Sequence, residues 1–167
     1  DLFVLELSSF QLETTHSLKC VVATCLNISE DHMDRYSDIA AYREAKLRLY
    51  KQTRAVLFNR DDKLTVPPEP MNQNSFGLAA PEADEWGISD SKIYHGSSEI
   101  MPITEVSLIG SHNHANLLAA MALVDVVGVD KHVMAKVARS FTGLSHRCEV
   151  VGIKNGVTYV NDSKATN

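Results

Sequence analysis

A chain of 167 residues, 44% hydrophobic and 22% charged, has the makeup of one ordinary globular domain, which excludes disorder, a collagen-like repeat and a disulfide miniprotein. A formal charge of −5 with Lys and Arg dispersed excludes a basic face that tracks nucleic acid, while a local anion site stays open. No apolar run reaches the ~18 residues that span a membrane, and Cys20, Cys25 and Cys148, odd in number and without CxxC spacing, predict a reducing, cytoplasmic setting.

The chain opens in an apolar run, and Asp1 to Leu7 predicts a strand buried on both faces, as in a parallel sheet. That abrupt start, with the polar stop at Asn167, predicts a piece of a longer protein. Cys20 to Leu26, ending at Asn27, and Arg54 to Phe58, ending at Asn59, predict two further strands. Between them a helix is predicted from Asp38 to about Lys51 with Ser37 as its N-cap. Strand, helix, strand is a parallel crossover unit. From Pro67 to about Pro102, Pro, Gly, Asn and Ser interleave with short runs such as Lys92-Ile93-Tyr94, predicting loops and small antiparallel strands at an edge. His112 to Val127 is apolar nearly all round and predicts a buried helix ended by Gly128, after which Asp130 caps a helix of about Lys131 to Ser140. Apolar runs on either side of Asn155-Gly156 predict a hairpin over Glu149 to Asn161. The class is α/β, a mostly parallel sheet with flanking helices and a small antiparallel edge region around 67–108.

Several residues carry chemistry in this arrangement. Glu6 would sit at the C-terminal end of the first strand, the edge where open α/β sheets bind ligands; it is either a surface acid or a Mg²⁺ ligand. Asn27 to Tyr36 reaches the same edge and packs Glu30, Asp31, His32 and Asp34 into one loop, as a solvated turn or as part of a site. Lys46 falls inside an apolar helical stripe of Ile39, Tyr42, Leu49 and Tyr50. It either snorkels along that stripe or ends in a polar pocket with His32 and Glu6, paired or chemically modified. Asn113 and Asn116, three apart on the first turn of their helix, offer amide edges to a base, although capping explains one of them. His112 and His114 lack a third metal ligand nearby. His146-Arg147 follows a helix exit, where an Arg forms a charge-assisted fork to phosphate, and Asp162 and Lys164 follow the last apolar run at a sheet edge.

Taken in order, Glu6-Leu7-Ser8-Ser9-Phe10-Gln11-Leu12-Glu13, Asn27 to Tyr36, Tyr42-Arg43-Glu44-Ala45-Lys46-Leu47, His112-Asn113 with Asn116, Phe141 to Arg147 and Asn161 to Asn167 resemble the Mur ligases, which build the peptide stem of bacterial cell-wall precursors. Ser145 and Cys148 depart from the pattern, standing where the family has a proline and an aromatic residue. The resemblance implies a P-loop NTPase-like central domain of an ATP-dependent amide-forming ligase that joins D-glutamate to UDP-N-acetylmuramoyl-L-alanine through an acyl phosphate. It implies that Glu6 and His32 bind metal, that Lys46, as a carbamate, faces a second Mg²⁺, and that Lys46, His32 and Arg147 serve catalysis. Asn113 and Asn116 fall to the adenine of ATP, Asp162 to its ribose, and Arg147 with Lys164 to the nucleotide, with His146 bordering the same pocket. Residues 1–167 are then a central ATP-binding domain, with the phosphate loop and a UDP-binding domain before residue 1 and a C-terminal domain after 167. No glycine-rich Lys-Ser/Thr loop occurs in the chain, so it is expected to be inactive alone.

Three rivals remain at this point. A folate-type glutamate ligase shares the chemistry, and Ser8-Ser9-Phe10-Gln11 weighs for the cell-wall member. A non-catalytic nucleotide-binding module has no need of Lys46 beside Glu6 and His32. A metal-dependent hydrolase has no need of the Asn113 and Asn116 pair.

Overall fold

In the computed structural model, residues 1–165 are described. The chain forms α1 (Ser9–Thr14), β1 (Cys20–Cys25), α2 (Ile39–Leu47) running into a 3₁₀ turn at Arg48–Gln52, β2 (Thr53–Asn59) and β3 (Gln73–Phe76). It continues through β4 (Trp86–Ser89), β5 (Lys92–His95), β6 (Ser98–Pro102), α3 (Ser111–Val126), α4 (Lys131–Ser140), β7 (Glu149–Lys154) and β8 (Val157–Asn161). Strands β1 to β6 form one sheet in chain order, parallel from β1 to β4 and antiparallel from β4 to β6. The crossover expected between the first two paired strands is present, with α2 joining β1 to β2.

Alternation along the strands sends side chains to two cores. On one face Leu57, Phe76, Trp86, Ile93 and Met101 pack under α3 and α4, where Leu118 and Met134 are buried. On the other, Cys25 and Val56 meet Tyr36, Tyr42 and Tyr50 from α2 and its flanks. Both faces of the central strands are therefore covered, which is why the β1 and β2 texts are nearly continuous apolar runs. No described helix is long and apolar enough to cross a membrane.

Several expectations need correction. Residues 1–8 form no strand, and Leu2, Phe3 and Val4 are 61%, 81% and 89% exposed. A strand buried on both faces needs a ladder partner and cover, and β1, the sheet's outer strand, pairs only with β2. Glu6 is consequently an exposed residue of that segment rather than the last residue of a strand. The N-cap of α2 is Asp38, whose carboxylate accepts from Ala41 N–H at 2.8 Å, not Ser37. Helix α3 is buried on one face only, through Leu118, Ala119, Met121 and Ala122, because the sheet lies on one side of it.

The other expected elements form, except that α2 ends at Leu47 before the 3₁₀ turn and that β3, in the region expected to be antiparallel, pairs parallel with β2 and β4, leaving only β4–β6 antiparallel there. Asp130 caps α4 by accepting from His132 N–H. The β7–β8 hairpin turns on Asn155 and Gly156 with φ of 52° and 78°, the left-handed pair that a two-residue turn requires. It forms a sheet of its own, exposed on both faces, with Ile153 72% exposed. Thr166 and Asn167, the end of the last family-like segment, lie outside the described residues.

Candidate active site

The loop after β1 is fixed before it reaches His32. Tyr50, buried under α2, accepts from Cys25 N–H at 3.3 Å and donates to the Thr65 carbonyl at 2.9 Å. Three residues on, Ile28 N–H donates to the Asp62 carboxylate at 2.8 Å. His32 then adopts a left-handed backbone with φ of 56°, a strained choice for a side-chain-bearing residue and one frequent at functional sites. Its N–H is held by the Asp31 carboxylate at 2.9 Å, and its carbonyl accepts from Arg35 and Tyr36.

Aromatic rings line the space in front of it. The His32 ring lies 4.8 Å from Phe10 and meets Tyr42 edge-on at 6.3 Å, and Tyr36 stacks on Phe10 at 6.1 Å and packs on Tyr42 at 5.1 Å. Tyr36 also donates to Glu13 at 2.6 Å; that hydrogen bond, with help from Arg35, holds the Glu13 carboxyl below the usual range. Lys46, half-buried four residues after Tyr42, places its ammonium 5.0 Å from the centre of the Tyr42 ring, a cation–π distance. His32 and Lys46 thus share the Tyr42 ring as a wall, and among the described residues Glu6 forms no hydrogen bond or ion pair with either.

Donor chemistry decides whether a hard cation fits here. An imidazole and an ammonium do not attract Mg²⁺, which takes oxygen ligands, and an unmodified Lys46 repels it. Among the described residues no three His, Cys, Asp or Glu side chains gather closely enough to hold a metal ion. With Lys46 unmodified and Glu6 apart from it and from His32, the residues as placed do not close a Mg²⁺ site.

A second group of site residues assembles at the start of α3. A cavity of about 380 Å³ is walled by Leu108 and Ile109 before the helix, Asn113 in its first turn, and the crossing loop of Thr142, Gly143, Leu144, Arg147 and Cys148. That volume falls in the range of small-molecule pockets. Asn113 is oriented by donating its amide to the Ile109 carbonyl at 2.7 Å, which leaves the amide oxygen free for the cavity. Asn116, one turn further along, is exposed and does not line it.

The crossing loop is tied to the chain's last segment. His146, with φ of 66°, donates its N–H to Glu149 and has its ring nitrogen 2.9 Å from the Asn161 amide. Its carbonyl accepts from Lys164 N–H at 3.1 Å, while the Asp162 carboxylate accepts from Cys148 N–H at 3.1 Å. The Cys148 sulfur lies 3.4 Å from Nε2 of His112 on α3, closing the ring of contacts. Burial and then the Asp162 charge push the Cys148 thiol above its usual range, so it stays protonated. The structure thus gathers Asn113, His146, Arg147, Asp162 and Lys164 around one loop and leaves Asn116 outside it.

Sequence reasoning missed Phe10 and Tyr36 as walls of the first group and the Cys148–His112 contact in the second. The Phe10 signal was available, since α1 opens with a Ser8–Gln11 capping box that fixes its direction. The contact across 36 residues had no local signal.

A mostly parallel, helix-flanked sheet with polar site residues on the loops around it defines an α/β domain of the ligand-binding kind. More narrowly, residues 1–124 match the Mur ligase middle domain, and the chain belongs to that family. Over its whole length it is 83% identical to the UDP-N-acetylmuramoylalanine–D-glutamate ligase of Shewanella oneidensis, covering 38% of that protein. It is 66% identical to the ligase of the same name from Shewanella violacea, covering 37% of it. The chain spans under two fifths of the length of these relatives. Among solved structures it is similar to a UDP-N-acetylmuramoyl-L-alanyl-D-glutamate–2,6-diaminopimelate ligase, with a TM-score of 0.67 at 23% identity over 89% of this chain and 34% of that one. It also resembles the UDP-N-acetylmuramate-alanine ligase MurC of Thermotoga maritima, with a TM-score of 0.64 at 19% identity over 93% of this chain and 36% of that one. These two likenesses bear on the fold.

Proposed function

We propose that this chain is the central domain of a bacterial, cytoplasmic, ATP-dependent ligase that joins D-glutamate to UDP-N-acetylmuramoyl-L-alanine in cell-wall precursor synthesis. The observation that carries the reading is the cavity shared by Asn113 and Arg147, set beside the 83% identity to a ligase of that name. In the proposed reaction the substrate carboxylate takes the γ-phosphoryl group of ATP, giving an acyl phosphate and ADP. The D-glutamate amine then attacks the acyl carbon, the C–O bond to phosphate breaks, and the amide and inorganic phosphate result.

The cavity residues Asn113 and Arg147, and the residues tied to the crossing loop, each have a part that their chemistry supports. The Asn113 amide offers a donor and an acceptor to adenine, with Leu108 and Ile109 as apolar cover for the base. Arg147 supplies a planar fork of N–H donors to phosphate oxygens and Lys164 a point charge, which lowers the cost of the charge developing on the transferred group. Asp162 is assigned to the ribose hydroxyls, His146 to the pocket border, and Asn116 to the outer rim of the adenine side. The cofactors proposed are ATP and Mg²⁺; Glu6 and His32 would hold one Mg²⁺ only once Glu6 is brought to His32, and Lys46 a second only as a carbamate, an anion in place of the ammonium that faces Tyr42. Mg²⁺ when bound supplies charge neutralisation at the phosphates. The proposed partners are the remaining domains of the same protein, including the phosphate loop.

Titrating ¹⁵N-labelled chain with ATP tests the reading. Amide shifts should concentrate at Ile109, Asn113 and Leu144 to Cys148, and Asn113→Ala should weaken them about tenfold, the loss of one good polar contact. Shifts confined to other surfaces, or an N113A titration identical to the parent, overturn it. The chain by itself should give no D-glutamate-dependent phosphate release.

A further inference from the structure

A second concavity lies at the opposite end of the sheet. It has a volume of about 330 Å³ and is lined by Thr15, His16, Arg48, Lys51 and Gln52. Thr15 and His16 lead from α1 into β1, and Arg48 to Gln52 lead from α2 into β2, whose first paired residues are Cys20 and Thr53. The concavity therefore sits at the N-terminal ends of these parallel strands, whereas the loop carrying His32 leaves from the C-terminal end of β1.

Its walls are held by hydrogen bonds that need no ligand. Gln52 accepts from Leu18 N–H at 3.1 Å and donates to the Thr15 carbonyl at 2.8 Å, clamping the α1–β1 loop to the 3₁₀ turn. Thr15 donates its hydroxyl to the Gln11 carbonyl at 2.6 Å. Arg48 donates one guanidinium N–H to the Glu13 carbonyl at 3.3 Å, which fixes the fork and leaves its other donors unassigned. The Glu13 carboxylate, which also feels the Arg48 charge, is engaged by Tyr36 and Arg35.

Charge completes the case. Arg48, Lys51 and the His16 imidazole line one concavity in a chain whose formal charge is −5, and none of the three makes an ion pair among the described residues. Holding like charges together with no ion-paired acid costs energy that a bound anion lowers. A guanidinium fork beside an ammonium and an imidazole N–H matches the oxygens of a tetrahedral phosphate, and Thr15 adds a polar wall. No apolar side chain lines the concavity, so it offers nothing to an acyl chain.

We propose that this pocket is an anion site, separate from the cavity at Asn113, that takes the phosphate group of a small free molecule. The proposal is independent of the ligase reading. It is tested by titrating the ¹⁵N-labelled chain with inorganic phosphate at low ionic strength. Shifts should appear at Thr15 to Leu18 and Arg48 to Thr53, and Arg147→Gln should leave them in place. Lys51→Gln, at an exposed position where folding is not at risk, and Arg48→Gln should each weaken that response about tenfold, or about 1.4 kcal/mol. A response confined to Arg147 and Lys164, shifts spread evenly over all lysines, or an unchanged K51Q titration overturns the site. Tighter binding to phosphatidylglycerol vesicles than to free phosphate overturns the assignment to a free ligand.

Discussion

Replacing Tyr50 with Phe tests how the first group of site residues is positioned. Tyr50 is 2% exposed, and its hydroxyl bridges the Cys25 N–H of β1 and the Thr65 carbonyl. Phe keeps the ring and its packing, so the variant removes two hydrogen bonds and little else. Each buried group left unpaired costs about 1–3 kcal/mol, and because the Cys25 contact is long at 3.3 Å the sum is about 2–4 kcal/mol. Urea unfolding followed through Trp86, the one tryptophan and 1% exposed, reads this directly. At a slope of ~2 kcal/mol per molar the midpoint falls by about 1–2 M with the slope unchanged. A loss below about 0.5 kcal/mol refutes the claim that this hydroxyl anchors the end of β1.

The same residue sets an alkaline signature. Burial, with added repulsion from Cys25, holds the Tyr50 phenol well above its usual range in the folded protein. The unfolded chain releases this proton near pH ~10 while the folded one keeps it. Folded-state stabilisation is thus complete below pH ~10 and is lost as pH rises, by up to ~1.4 kcal/mol per unit for one group. Y50F removes that contribution, so its deficit against the parent should shrink above pH ~10. Curves that stay parallel beyond that point refute the burial argument.

Three further outcomes are expected. The Thr24 hydroxyl is buried without a partner among the described residues, so Thr24→Val should stabilise by about 1 kcal/mol in urea unfolding; a loss would show that it has a partner. Gly110 has φ of 97° and a Cβ there would stand 2.7 Å from the His112 ring, so Gly110→Ala should cost about 1–3 kcal/mol and move the His112 ring signals away from Cys148; an unchanged melting temperature contradicts this. Burial and Asp162 keep the Cys148 thiol protonated, so its carbamidomethylation near neutral pH should run slower than that of a free cysteine and speed up in Asp162→Asn; mass spectrometry showing faster reaction in the parent overturns it.

Much of the fold was legible because its determinants are local. The β1 and β2 runs, the Asp130 cap and the Asn155-Gly156 turn each act within a few residues, and each forms as read. Leu2 to Leu5 carries the same apolar signal as β1, yet the two differ in outcome. A run of apolar residues states a demand for burial, and its supply depends on a partner strand and on cover from elsewhere in the chain. Cys20–Cys25 receives both, from β2 and from Tyr50 with α3, while Leu2 to Leu5 receives neither among the described residues. The cap of α2 was misplaced by one residue because Ser37 and Asp38 are both good caps, and only Asp38 directs its side chain to the Ala41 N–H.

For the site, the division follows whether a residue's position is set by one helix or by two separated segments. Tyr42 and Lys46 are four apart on α2, so helical geometry alone stacks the ammonium near the ring. Asn113 and Asn116 share a helix face by the same rule, yet only Asn113 enters the cavity. What separates them is the loop 142–150, which walls the cavity with Asn113 and reaches the first turn of α3 through the Cys148–His112 contact. Its path is set by Gly143, by the left-handed His146 and Cys148, and by the Asp162 carboxylate, residues whose joint effect no periodicity records. His32 belongs to the same class, since its ring reaches Tyr42 only because a left-handed backbone turns the loop back over α1 and α2. Residue identity therefore marked which side chains carry chemistry, and loop closure over a fixed helix decided which of them share a space.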